Sequence, residues 1–182
     1  MGSVEQSAGR ERLWSVPVAV SEVSEAGRHF DLVADAATRA AIAAHAGIVG
    51  IPRFVASFDV TRQGRSGLRV VGQVSATVEQ TCVVTLEPME NEIVEPVDLA
   101  FTPASGPAAQ QAEVEIPVED APEELVGGVV DLGAIAIEFL VLGIDPYPRR
   151  PGAIFEAPES RQDERAGPFA GLAALKRGQT PG

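Results

Sequence analysis

Reactive side chains are scarce in this sequence. One cysteine, Cys82, and two histidines, His29 and His45, are spread over 182 residues, too few to build a histidine or cysteine metal site or a nucleophile paired with its base. A lone cysteine closes no internal disulfide, and the expected compartment is the reducing cytoplasm. No Walker loop, GxGxxG turn, GxSxG elbow or HExxH helix occurs, so no recognised motif for nucleotide binding or hydrolysis is present. Paired carboxylates are common, but in an acidic chain such pairs arise by chance and specify no hydrolase site. The residues point to a protein that binds rather than catalyses, without a cofactor.

Long apolar runs are also missing. The most hydrophobic stretch, Leu125 to Ile144, has the length of a membrane span, yet it contains Asp131 and Glu138 and is broken by glycines at 127, 128, 133 and 143. Carboxylates are costly in hydrocarbon, so this stretch reads as buried core and no membrane association is expected. Residues 1–12 carry Glu5, Arg10, Glu11 and Arg12 with no apolar run behind them. No secretory leader is expected there, and the segment reads as a disordered N-terminus.

The third absence is of positive charge. Between Arg69 and Arg149 there is no Lys, Arg or His, while 15 of the 26 acids fall there, leaving 11 acids to face all 14 bases elsewhere in a chain of net charge −12. An acidic centre is thus flanked by mildly basic ends. Such a centre repels phosphate and favours a basic partner, although acids that merely keep a domain soluble produce the same composition. The bases that do cluster are Arg53, Arg62, Arg65 and Arg69, opposed locally by Asp59. They form a candidate RNA contact, although no aromatic side chains interleave with them for base stacking. The bland alternative is a solvated hairpin tip.

What is present is a pattern of alternation. Trp14 to Val20 reads as an edge or entry strand because of Pro17, and Arg28 to Ala34 as a strand with Phe30, Leu32 and Ala34 on one face and His29 on the polar one. Asp35 as N-cap and Gly47 as stop bound an Ala-rich helix anchored mainly by Ile42, with His45 near its C-terminus. Phe54, Ala56, Phe58 and Val60, then Leu68, Val70, Val74, Ala76 and Val78, predict a long hairpin around Gly64 to Gly67.

Thr81 to Leu86 and Ile93 to Phe101 continue the meander, with a turn at Glu87-Pro88. Residues 102–112 read as a mobile loop, Glu113 to Pro117 as a short edge strand, and Val118 to Val126 as irregular and acidic. Asp131 caps a second helix, Leu132 to Leu142, with Leu132, Ile135, Ala136, Phe139, Leu140 and Leu142 as its apolar surface. Asp145-Pro146-Tyr147-Pro148 is a rigid turn. Its simplest role is to seat Tyr147 on the core, and its functional alternative is a recognition turn formed by Asp145, Tyr147, Arg149 and Arg150. Residues 156–167 are polar and loose, and Phe169, Leu172 and Leu175 are spaced as on a short amphipathic helix over 168–176.

Three strings, QTCVVTLEP (Gln80 to Pro88), DLGAIAIEFLVLGIDPYPRRPGAIF (Asp131 to Phe155) and GPFAGLAALK (Gly167 to Lys176), resemble the alphaproteobacterial branch of the YceD family. Their order and the acidic linker match as well, so the resemblance runs from about Trp14 to Lys176. The family comprises the large ribosomal RNA subunit accumulation proteins, commonly encoded in bacteria beside a large-subunit ribosomal protein. The resemblance implies a role in ribosome biogenesis without catalysis. Many relatives carry Cys-x-x-Cys where this chain has Cys82, Val83, Val84 and Thr85, so the cysteine pair that a metal or redox role requires is incomplete here. Cys82, Glu87 and Pro88 of the family motif read as structural, with Cys82 a small buried hydrophobe.

The expected architecture is α+β: a mostly antiparallel meander of about six strands, a twisted sheet or partly closed barrel, packed by one main helix with a shorter N-terminal helix and a docked C-terminal one. One domain is expected over 13–156, with a flexible acidic linker near 102–124 and a loose tail over 157–182. The expected function is promotion of large-subunit rRNA accumulation by binding, the acidic middle holding a basic ribosomal protein while the Arg53 to Arg69 hairpin approaches an rRNA precursor. The alternative is an acidic holding chaperone for a basic ribosomal protein without RNA contact.

Overall fold

A computed structural model describes residues 13–103 and 122–155. Alternation builds most of it. Strands β1 (Pro17–Ala19), β2 (Arg28–Val33), β3 (Gly50–Gln63), β4 (Gly67–Thr81), β5 (Pro88–Pro103), β6 (Glu123–Leu125) and β7 (Val129–Asp131) are joined by helices α1 (Ala36–Ala46) and α2 (Leu132–Gly143). Five strands form one open sheet in the order β2-β3-β4-β5-β6, and β1 pairs with β7 in a separate ribbon. The α+β expectation holds, and the sheet does not close into a barrel.

In β3 the even positions Phe54, Ala56, Phe58 and Val60 are buried, and across the hairpin Leu68, Val70, Val74, Ala76 and Val78 meet them. A period of two puts all these side chains on one face, where they form the core with Ile42 of α1 and with Leu132, Ile135, Ala136 and Leu140 of α2. Gly72 is required at the centre of this hairpin, because a Cβ there would lie 2.0 Å from the Ser57 carbonyl oxygen.

Both helix starts are capped as expected. Asp35 accepts the Thr38 N–H at 2.7 Å, and Gly47, at φ 69°, ends α1 in the left-handed region. Arg39 adds an anchor beyond Ile42 by donating to the carbonyls of Ile51 and Ala34. Asp131 accepts from Gly133 and Ala134 at the start of α2 and also from Val16 N–H and Ser15 Oγ–H, so one carboxylate ties the N-terminal arm to the helix. A Cβ on Gly133 would lie 2.8 Å from the Trp14 carbonyl oxygen, a contact that only glycine permits. Trp14 then reaches the Phe54 ring edge-on at 5.2 Å.

Four expectations are corrected. Residues 82–86 are a tight turn rather than a strand, with Leu86 at φ 58° and its N–H bonded to the Cys82 carbonyl. β5 correspondingly begins at Pro88, opposite Thr81. Within the stretch expected to be irregular, β6 pairs with the end of β5, and this pairing is parallel. Leu142 faces outward at 71% exposure, because it lies on the side of α2 away from the sheet. In the Asp145 to Pro148 turn, Pro148 is buried and Tyr147 is exposed, so Tyr147 does not pack on the core. The segments expected at 1–12, 104–121, 156–167 and 168–176 lie outside the described residues. No helix among the described residues is long and apolar enough to cross a membrane.

Candidate functional site

The sheet has one face on the core and one open to solvent, and the open face is set by strand register. Side chains of His29, Asp31 and Val33 on β2 lie beside those of Asp59, Ser57 and Val55 on β3. These continue into Val71, Gln73 and Ser75 on β4, and then Asp98, Pro96 and Val94 on β5. Arg53, Thr77 and Glu92 form the next row, and Glu79 faces Glu90 beyond it. Valines 33, 55 and 94 with Ser75 thus make a mostly apolar row across four strands, and Val33 and Val94 are 73% and 59% exposed. Charge flanks this row. Asp31, Asp59, Glu79, Glu90, Glu92 and Asp98 stand against Arg53 and Arg69 on the open face.

The four arginines do not converge. Arg53 and Arg62 are nine residues apart on one extended strand, a separation of roughly 30 Å, and their side chains point to opposite faces. Arg53 donates to Ser75 Oγ at 2.9 Å. Arg62 donates to the carbonyls of Val23 at 2.7 Å and Val20 at 3.1 Å, securing the 3-10 turn Val20–Glu22 to the hairpin. Arg69 makes a two-point ion pair with Asp98 at 2.9 and 2.8 Å, so Arg69 holds the Asp98 carboxyl below its ordinary pKa and Asp98 raises that of Arg69. Arg65, in the hairpin turn, makes no side-chain hydrogen bond or ion pair among the described residues.

His29 sits among acids on the open face. Its Nδ1 is 2.7 Å from Asp59 Oδ1, and its Nε2 is 3.2 Å from Asp31 Oδ1 and 3.3 Å from Ser57 Oγ. The hydrogen bonds to Asp59 and then Asp31 hold the imidazole pKa above its ordinary value.

The residues of the family motif and of the Asp145 to Arg150 turn, far apart in sequence, are joined in space. Cys82 closes the β4–β5 hairpin through its N–H to the Glu87 carbonyl at 2.9 Å. Its Sγ is buried and accepts the N–H groups of Thr85 at 3.5 Å and Arg150 at 3.4 Å. Thr85 is the largest cause, followed by the Arg150 amide, of a thiol pKa lowered to about 6 against the opposing effect of burial. Val83 N–H bonds to the Pro148 carbonyl at 2.9 Å, and the Arg150 guanidinium pairs with the Glu87 carboxylate. Pro88 begins β5 opposite Thr81. Asp145 Oδ1 accepts the Tyr147 N–H at 2.8 Å, which fixes the turn and presents Tyr147 and Arg149 to solvent. Among the described residues no three His, Cys, Asp or Glu side chains gather to hold a metal ion.

Two residues that sequence reasoning missed lock this assembly. Gln80, buried at 5% exposure, donates Nε2–H to the Asp145 carbonyl at 2.8 Å and accepts from Asn91 Nδ2–H at 2.8 Å. The signal was available, because Gln80 and Asn91 occupy positions whose alternation otherwise demands apolar side chains, and a buried polar group there needs partners.

The model for the family described as large ribosomal RNA subunit accumulation protein YceD matches residues 70–176. The matched range takes in the Cys82 turn and the Asp145 to Arg150 turn, and it begins after Arg53, Arg62, Arg65, Arg69 and His29. No curated protein and no solved structure matches.

Proposed function

Since the chain belongs to the YceD family of large ribosomal RNA subunit accumulation proteins, we propose that it acts by binding, holding a basic protein of the large subunit on its open acidic sheet. Membership carries a role in large-subunit rRNA accumulation. The observation that carries the finer reading is the makeup of that sheet face. Six carboxylates surround an exposed valine row, and both arginines of the face are engaged, Arg69 by Asp98 and Arg53 by Ser75. A phosphate backbone approaching this surface meets net negative charge, whereas a basic protein gains complementary charge at the rim and apolar contact at the centre. Activity at the thiol or the carboxylates forms no part of the reading.

Direct contact with an rRNA precursor through Arg53, Arg62, Arg65 and Arg69 is the second reading, favoured by Arg65 alone among them lacking a partner among the described residues. The turn bearing Asp145, Tyr147, Arg149 and Arg150 serves either reading as a recognition surface, since Tyr147 and Arg149 are presented on an anchored backbone.

Affinity purification from cells with and without nuclease separates the two. A basic ribosomal protein that stays bound after nuclease treatment, elutes with rising salt and is lost from the Glu90→Lys/Glu92→Lys variant is expected. Recovery of ribosomal components only through nuclease-sensitive RNA, with loss on Arg65→Glu, overturns the acidic-sheet reading in favour of the second. Deleting the gene and measuring precursor and mature large-subunit rRNA tests the family role itself.

A further inference from the structure

A groove of about 500 Å³, its lining somewhat more apolar than polar, opens at the end of the sheet where β4 finishes and both helices have their C-termini. Ile48, Val49, Val83, Val141, Ile144 and Pro146 line it. Val49, Val83 and Val141 remain 62%, 44% and 42% exposed, although each belongs to a segment held by backbone hydrogen bonds. Rigid walls with unburied valines are the form of a seat for another apolar surface rather than of a loose surface loop.

We propose that this groove seats the chain's own C-terminal apolar segment, residues 168–176, through Phe169, Leu172 and Leu175. Three observations converge on that occupant. Pro148 forms part of the groove wall, and the described chain continues from it to Phe155, leaving residues 156–167 as the connection. Twelve residues reach at most about 40 Å when extended, ample to return a segment to a wall from which the chain has just departed. Tethering also raises the effective concentration of the segment above that of any free competitor of equal affinity.

The side-chain chemistry agrees. Phe169, Leu172 and Leu175 recur at helical spacing, and a nine-residue helix is about 13 Å long. Lys176 and Arg177 follow directly, and Asp145 stands in the groove lining to receive positive charge. The family match, finally, ends at residue 176, so the pattern that contains the Val83, Val141 and Pro146 walls also contains this segment and stops with it.

Lys176 is the only lysine in the sequence, which gives the segment a unique reporter. Treating the full-length protein with a zero-length carbodiimide cross-linker, followed by peptide mass spectrometry, is expected to join Lys176 to Asp145 within one monomer. The cross-link should vanish in Phe169→Asp/Leu172→Asp. That variant should keep its far-ultraviolet spectrum while the amides of residues 46–49 and 141–144 exchange about tenfold faster. Attachment of Lys176 only to a second copy in a mixed-isotope sample, only to carboxylates remote from the groove such as Glu22 and Glu25, or to no carboxylate overturns the proposal. So does unchanged exchange of the groove amides in the double variant.

Discussion

Replacing Gln80 with leucine tests whether the two turns of the candidate site are held by one buried amide. The substitution keeps the volume near that of glutamine and removes two neutral hydrogen bonds, from Gln80 to the Asp145 carbonyl and from Asn91 to Gln80. Each such bond contributes about 1 kcal/mol net, and stranding a part-buried donor on Asn91 costs about 1–3 kcal/mol. A cavity of about 230 Å³ beside Gln80, Asn91 and Asp145 admits water and softens that penalty. A loss of about 2 kcal/mol results, which for a chain of this length lowers Tm by about 4–8 °C. The double change Gln80→Leu/Asn91→Leu removes the stranded donor as well and should recover most of the loss. Thermal unfolding followed by circular dichroism measures both variants, and hydrogen exchange at Tyr147 and Arg150 reports loosening of the turn. A single variant within about 0.5 kcal/mol of the parent, or a double variant no more stable than the single, refutes the assignment of Gln80 as the lock.

The Cys82 thiol should titrate with a midpoint near 6 by thiolate absorbance, and Thr85→Val should move it upward because Thr85 is the largest cause of the shift. Its folded pKa lies below the unfolded value, so the stabilisation is complete above the unfolded thiol pKa and is lost as pH falls through about 6. Urea unfolding on either side of that window reads the sign. His29 behaves oppositely: its pKa is raised, so its ion pairs stabilise below the ordinary histidine value and fade as pH rises through the folded one. Nuclear magnetic resonance titration should place its midpoint above 6.5, and Asp59→Asn should bring it down. Gly72→Ala puts a Cβ 2.0 Å from the Ser57 carbonyl oxygen and 2.9 Å from Phe58 Cα. It should cost about 3 kcal/mol, and a urea midpoint equal to the parent's shows that the hairpin yields freely.

Family membership links the chain to large-subunit rRNA accumulation, and the open sheet is the surface proposed to serve that role. The split in charge noted along the sequence acquires meaning only in register. Strand pairing places Glu92 in the row next to the valines, Glu90 and Asp98 two rows away on either side, and sets Arg69 against Asp98. The same pairing leaves Arg53 far from the hairpin tip.

The sequence by itself determined what short-range physics controls. Alternation assigned Phe54 to Val60 and Leu68 to Val78 to one face, and Asp35, Gly47 and Asp131 marked helix ends, because each signal is read within a few residues. The 82–86 turn escaped that reading, since Val83, Val84 and Thr85 favour strand. The amides of Thr85 and of Arg150, a residue 68 positions from Cys82, turn toward the sulfur instead. Tertiary structure alone decided that the family motif and the Asp145 to Arg150 turn form one assembly. It also decided that Arg62 serves backbone carbonyls, and that Tyr147 is exposed while Pro148 is buried. Those outcomes depend on which groups meet after the strands are paired, and contacts across such separations leave no periodic trace in the chain.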